Sequence, residues 1–227
     1  MKTIIGVIMF LMMTVLSYAN DIYVTQSGNA LDLDITQDGE NNTVGNSTTA
    51  SASAGVTTIL NIDQIGDSNV ITYQINGATY TGVINLVGNS NNVDLNCDST
   101  GGNSSCGTAN AVINFTGSSN DIDLDIGQTS SANTADVDIV GQSGSDSNVV
   151  AATVDGNSAV LTITVNGDTN NYLIDIDGNG DSVGHTLIHS HTGGIADVDI
   201  IQSGTNDNMI TLTTSGDNAD IDISQTD

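Results

Sequence analysis

Ala196-Asp-Val-Asp-Ile-Ile-Gln202 and Ala219-Asp-Ile-Asp-Ile-Ser-Gln225 are two versions of one phrase, twenty-three residues apart. Every second residue is small, apolar, apolar, then an amide, and Asp fills most of the positions between. Strict alternation is the period of a half-buried strand. Between the copies lie Gly204 and then Asn208-Met-Ile210-Thr-Leu212. The unit is therefore a strand, a Gly/Asn turn, a second strand and a second turn. A repeat this short has room for two strands and two turns, not for two helices and a turn.

Carried back along the chain, the unit becomes a frame. A small residue opens it, two inward apolar residues and an inward Gln or large apolar residue follow at spacing two, and Gly-x-x-Asn leads into the second strand. Leu31–Val44, Thr58–Ile75, Tyr80–Cys97, Ala109–Ile126 and Ala159–Ile174 fit it, and Ala135–Val150 fits with a one-residue slip near Gln142 and Gly144. Gly45–Gly55 reads as a bulged turn. Ser182–Gly194 is the poor fit, an irregular coil decorated by His185, His189 and His191. The expected fold is all-β: a β-solenoid of about seven to eight strand–turn–strand coils forming two parallel stacked sheets.

Two consequences follow from stacking. Amides at equivalent positions can form inward ladders that satisfy one another and fix register. The candidates are Gln37, Gln64, Gln202 and Gln225, with Asn42, Asn69, Asn91, Asn120, Asn148, Asn170 and Asn208 at the turns. The ends are the second consequence. Ala196–Gln202 reads as the first strand of the last coil and Ala219–Gln225 as half a coil without its partner. Asn20–Gln26 is the complementary half. Copies stacked head to tail would complete one coil per junction through Ile22, Val24 and Gln26 on one side and Ile221, Ile223 and Gln225 on the other.

Composition agrees with a thin core. Of the 227 residues none is Pro or Trp and two are Phe, too few large groups for a thick globular interior. A chain without Pro keeps every backbone N–H available for a ladder. Residues 1–19 have the layout of a secretory signal peptide: Lys2, an apolar run from Ile4 to Leu16, then Ser17-Tyr18-Ala19. The repeat domain is residues 20–227.

Lys2 is the only basic residue and all 27 acids follow Ala19. With no fixed positive charge in the mature chain, nucleic acid and anionic lipid are excluded as electrostatic partners. Cys97 and Cys106 bracket an excursion at 98–105. In an exported chain with two Cys a disulfide is the default, worth roughly 2–3 kcal/mol for a loop this short.

Little here points to catalysis. Ser and Thr abound without a positioned base, and the many Asp-x-Asp pairs point outward to water, where a general acid finds no shielding. The chain reads as a non-enzyme without a cofactor or a dedicated metal site. Outward Asp rows, at 121, 123 and 125, at 136 and 138, and at 197 and 199 over 220 and 222, would repel across a strand spacing by about 1 kcal/mol per pair even in bulk water. Loosely held divalent cations or mild acid would relieve them.

Leu33-Asp-Ile35-Thr-Gln37-Asp-Gly39, Ile62-Asp-Gln64-Ile-Gly66-Asp-Ser-Asn69 and Ile200-Ile-Gln202-Ser-Gly204 resemble curlin repeats. That family's Gln-x-Gly-x-x-Asn context is complete at Gln37 and Gln64, carries an inserted residue at Gln142 and Gln202, and has Leu86, Phe115 or Val165 in the Gln slot elsewhere. The long Gly-rich segment that targets curli subunits to their export pore is missing ahead of the first repeat. The resemblance implies a secreted subunit of curli-type functional amyloid fibres at the cell surface, serving biofilm matrix and adhesion. The partner it implies is the chain itself, with a nucleator or outer-membrane export machinery. The competing expectations are a monomeric β-solenoid that binds ice, carbohydrate or calcium, and an adhesin or spike segment.

Overall fold

The computed structural model describes residues 20–24, 26–27, 30–39, 42–45, 51–66, 69–97, 106, 108–127, 134–156, 158–178, 185–204 and 208–226. The expected leader at 1–19 and the excursion at 98–105 lie outside them. The strands in chain order are β1 (Asn20–Ile22), β2 (Gln26–Ser27), β3 (Ala30–Asp38), β4 (Asn42–Val44), β5 (Ser51–Ile65), β6 (Val70–Val87), β7 (Asn92–Cys97), β8 (Thr108–Thr116) and β9 (Asp121–Ile126). They continue with β10 (Thr134–Gly141), β11 (Val149–Val154), β12 (Ser158–Asn166), β13 (Asn170–Gly178), β14 (Thr186–Thr192), β15 (Ala196–Gly204), β16 (Met209–Ser215) and β17 (Ala219–Thr226).

Parallel pairing sorts these strands into two columns. The first is β3, residues 57–65 of β5, residues 79–87 of β6, β8, β10, β12, β14 and β16. The second is β1, β4, residues 70–74 of β6, β7, β9, β11, β13, β15 and β17. Together they form a β-solenoid with two parallel sheets, and the stack is close to the expected number of coils.

Register keeps like over like. In the first column Ile35, Ile62, Ile84, Ile113, Ile139 and Ile163 form one inward row. Each such buried side chain contributes about 1.5–3 kcal/mol. Size is balanced between levels. Phe115 stacks on Gly141, where a Cβ would lie 2.7 Å from the Phe115 ring and 2.8 Å from Val165. Gly141, not Gln142, therefore takes the inward slot, and Gln142 is exposed.

The structure corrects the frame in three places. Ser51–Gly55, expected within a bulged turn, belongs to β5 and pairs with Tyr73–Gly77 of β6. Thr186–Thr192, expected to be irregular, is a regular first-column strand between β12 and β16. Ala196–Gln202 is a second-column strand, stacked on Asn170–Ile176 and followed by Ala219–Gln225. The last coil is thus β16 with β17, so Ala219–Gln225 does not lack a partner strand. The physical reason lies in the turns. Gly193 and Gly216 pack so closely under the preceding glycines that a Cβ would fall 1.8 Å from the Gly167 carbonyl oxygen and 1.3 Å from that of Gly193. These two turns are Gly-x-x-Ala, the continuation of Gly167-x-x-Asn170. Because β1 pairs with β4, it shares a column with β17. The two terminal strands thus belong to the same column, at opposite ends of the stack, and not to complementary halves of one coil.

Candidate functional site: amide ladders and an open terminal coil

The turn asparagines are built in by backbone geometry. The residues before Asn91, Asn120, Asn148 and Asn170 are left-handed: Ser90, Ser119, Ser147 and Thr169 have φ of 62, 61, 57 and 60°. This conformation is unfavourable for residues with a Cβ. Backbone bonds to the next coil hold it, from Ser90 N to Ser118 O at 2.9 Å and from Ser147 N to Asp168 O at 2.8 Å. Asn218 repeats the geometry ahead of Ala219 with φ 63°, which marks that turn as the same kind.

So placed, each asparagine reaches inward and along the stack. The N–H groups of Asn69, Asn91, Asn120 and Asn148 donate to Oδ1 of Asn91, Asn120, Asn148 and Asn170 at 2.8–3.1 Å. The side-chain amides of Asn69, Asn91, Asn120 and Asn170 return to the carbonyls of Gly66, Gly88, Gly117 and Gly167. At the N-terminal side Asn42 bonds the Ile65 carbonyl, and Asn20 donates to Asn42 at 2.7 Å. Asn20 extends the row, which the frame did not include because it was counted only as the start of a half coil. Asn208 is not in this row. It lies before β16 at the opposite turn and accepts from His185 N at 3.2 Å.

The glutamines form two ladders in different sheets. Gln64 donates to Gln37 at 2.6 Å in the first column, and Gln37 bonds the carbonyls of Asn20 and Thr43. Leu86 occupies the next level, and Gln64 Oε1 is left buried without a hydrogen-bond partner among the described residues. In the second column Gln225 donates to Gln202 at 3.2 Å and to the Asn208 carbonyl at 2.9 Å, while Gln202 reaches the His185 carbonyl at 3.3 Å.

The histidines are core residues, correcting the expectation that they decorate an irregular coil. His189 continues the isoleucine row below Ile163, and His191 lies below Val165. His185 accepts a bond from Ala159 N on Nδ1 at 3.2 Å. Tyr172 OH lies 2.9 Å from His191 Nδ1, and its ring meets His189 edge to face at 4.4 Å. Burial, with His191 adding, pushes the His189 pKa down to about 4. Burial also lowers that of His191, against the opposing charge of Asp168. Neutral imidazoles can fill an apolar row where imidazolium cannot. Among the described residues no group of three His, Cys, Asp or Glu is arranged to hold a metal ion. Cys97 and Cys106 are disulfide-bonded, with Cα atoms 5.8 Å apart.

Outside, the Asp rows are shorter than expected. Asp197 stacks on Asp220, Asp199 on Asp222 and Asp94 on Asp123. Asp136 and Asp138 have Asn110 and Val112 on one side and Val160 and Thr162 on the other. Asparagine is interleaved with several carboxylates: Asn61 donates to Asp34 at 2.8 Å, Asn85 to Asp63 at 2.6 Å and Asn96 to Asp125 at 3.0 Å. Asp155 is the outlier. Burial first, then Asp177, Asp175 and Asp125, raise its pKa to about 7.

The stack ends abruptly. Ile200 is 1% exposed beneath β17, but Ile221 and Ile223 of β17 are 37% and 48% exposed, and nothing among the described residues covers them. A groove running across β13, β15 and β17 is bordered by Leu173, Ile201, Asp222 and Ile223. No protein-family model, curated protein or solved structure matches the chain.

Proposed function

We propose that this chain is a secreted structural subunit that stacks head to tail into curli-type, amyloid-like extracellular fibres of a biofilm or adhesive matrix. The open face of β17 carries this reading. A parallel strand with inward Ile221, Ile223 and Gln225 uncovered is a template for another strand of the same pattern.

The other end of the same column supplies that pattern. Ala219 and Asn20 occupy the same turn position, through Asn42 at one end and Asn170 and Ala196 at the other. In that register Ile221 meets Ile22, Ile223 meets Val24 and Gln225 meets Gln26 of the next copy. The curlin-like contexts around Gln37 and Gln64 and the signal-peptide layout of residues 1–19 support the same reading, as does the absence of basic residues after Ala19. No step in it requires a cofactor, a metal or catalysis.

Electron microscopy of purified residues 20–227 with a fibril-binding dye is the test. Dye-positive fibres with a strand repeat of about 4.8 Å along the axis are expected. Chains that stay monomeric at high concentration, across pH and with millimolar calcium, would overturn it.

A further inference from the structure

The two outer faces of the solenoid differ in charge. On the second column, Asp94, Asp121, Asp123, Asp125, Asp197, Asp199, Asp220 and Asp222 point outward. On the first column, residues 79–87 of β6 and β8 carry no charged residue, and neither do the last three strands, which lie next to one another at the open end. Their outward rows run Thr162–Ile188–Thr211 and Thr164–Ser190–Thr213. Val160 and Met209 border them. The patch is flat, β-branched and solvent-facing, with Ile188 39% and Met209 51% exposed. Asp136 and Asp138 of β10 mark its N-terminal limit.

We infer that this uncharged face, β12–β14–β16, is a lateral interface with a second copy of the chain, pairing two filaments sheet to sheet. The inference rests on the fibre reading above. Charge selects both the face and the partner. The chain carries a formal net charge of −26, so two copies repel over most approaches. This patch lets them approach without bringing carboxylates together. Identical strand spacings on the two sides let rows of Thr and Ile interdigitate at an inter-sheet distance of about 10 Å.

Area explains why the contact belongs to fibres. Three strands by seven residues cover about 300 Å² on each copy. A stable pair needs about 800 Å² per partner. Free subunits therefore stay unpaired, and pairing emerges when stacking repeats the patch along an axis, each contact raising the effective concentration of the next.

Ile188→Asp tests this, with Ile188→Thr as the uncharged control. Residue 188 has Thr162 and Thr211 as column neighbours, so the new carboxylate meets no Asp within its own stack. Its repulsion is felt across the pairing face. Both variants are first checked for a parent-like melting transition; Thr164→Asp replaces Ile188→Asp if that variant does not fold. Electron micrographs are then scored for paired and single filaments. The expected result is paired filaments for the parent and Ile188→Thr, and a fall in the paired fraction of at least about tenfold for the aspartate variant, with filament growth retained. Single filaments from the parent, or equal pairing in the aspartate variant, overturn the lateral interface and leave the fibre reading standing. Single parent filaments that co-sediment with crystalline cellulose, and lose that binding in the aspartate variant, assign the face to a foreign surface and also overturn the inference. A parent that forms no fibre removes both readings.

Discussion

Up to Asn170 the coils of this solenoid turn a corner on an asparagine; from Gly193 onward the same corner turns on an alanine. In the body, the inward polar groups are amides that bond one coil to the next through Asn91, Asn120 and Asn148. In the last two coils Ala196 and Ala219 fill that position. The polar groups there have moved to His185, His189 and His191 in the opposite sheet and to Gln202 and Gln225. Amide ladders are satisfied at any ordinary pH. Buried imidazoles suit the core only while neutral. The amide ladders of the body should therefore be pH-tolerant and the histidine-lined core of the terminal coils should not.

The sharpest break of this comparison is at a body corner. Asn120 Oδ1 accepts from both the backbone and the side chain of Asn91 at 3.0 Å, and its amide donates to Gly117 O at 2.9 Å. Asn120→Ala leaves those buried groups unpaired, and stability should fall by about 2–4 kcal/mol. Ala196→Gly at the equivalent terminal corner loses no hydrogen bond and should cost only about 1 kcal/mol. Chemical denaturation of the two variants against the parent measures the difference. Equal losses would mean that the ladder adds nothing beyond shape.

The contrast also shows what could be read from the chain. Alternation and Gly-x-x-Asn placed both sheets, the core rows and the corner asparagines from Asn42 to Asn170. They could not say which sheet Ala196–Gln202 joins, because both sheets share period two. Gln202-Ser-Gly204 with Asn208 imitates Gln64-Ile-Gly66 with Asn69, although its turn lies at the other end of the coil. The deciding signals were Gly193 and Gly216, each three residues before an alanine. Ser51–Gly55 was missed because its small residues read as a turn when considered alone. In the structure Tyr73–Gly77 of the next coil supplies its strand partner. The histidines read as polar decoration because sequence does not show protonation. His189 follows Ile163 in an apolar row, and only the neutral ring fits.

The next break is by acid at the terminal coils. The His189 pKa falls from 6.5 in the unfolded chain to about 4 in the fold. Its depressed value means that the unfolded chain binds the proton first as pH falls through 6.5. Stability is fully present above 6.5 and is lost progressively down to about 4, by about 1.4 kcal/mol per pH unit. Near pH 5 the loss from this residue is about 2 kcal/mol. The facing groups are Tyr172 and His191, with Asp168 at the turn beyond. His189→Leu should remove most of this slope. Amide hydrogen exchange in β14 and β16 between pH 7 and pH 5 reads it out. Unchanged acid sensitivity in the variant would place the sensitive group elsewhere.

The smallest expected effect, because solvent screens the half-buried Asp155 carboxylate, has the opposite sign and lies in the body. Asp155 follows β11, its Oδ1 is buried without a hydrogen-bond partner among the described residues, and Asp177, Asp175 and Asp125 surround it. Its pKa is raised from 3.8 to about 7, so the folded chain binds the proton more tightly than the unfolded one. Ionisation therefore costs stability as pH rises from about 3.8 to 7, and acid restores it over the same window. Acid thus relaxes this site while it loosens the terminal coils. Asp155→Asn keeps the shape and removes the charge. It should stabilise the fold modestly near neutral pH and flatten this component of the pH profile, leaving the His189 slope in place. A double variant with His189→Leu should show the two changes adding, because Asp155 faces Asp125, Asp175 and Asp177 while His189 packs on Tyr172 beside His191. Destabilisation by Asp155→Asn at neutral pH would show that the ionised carboxylate is held by a compensating partner, and that the acidic arc is paired and not strained.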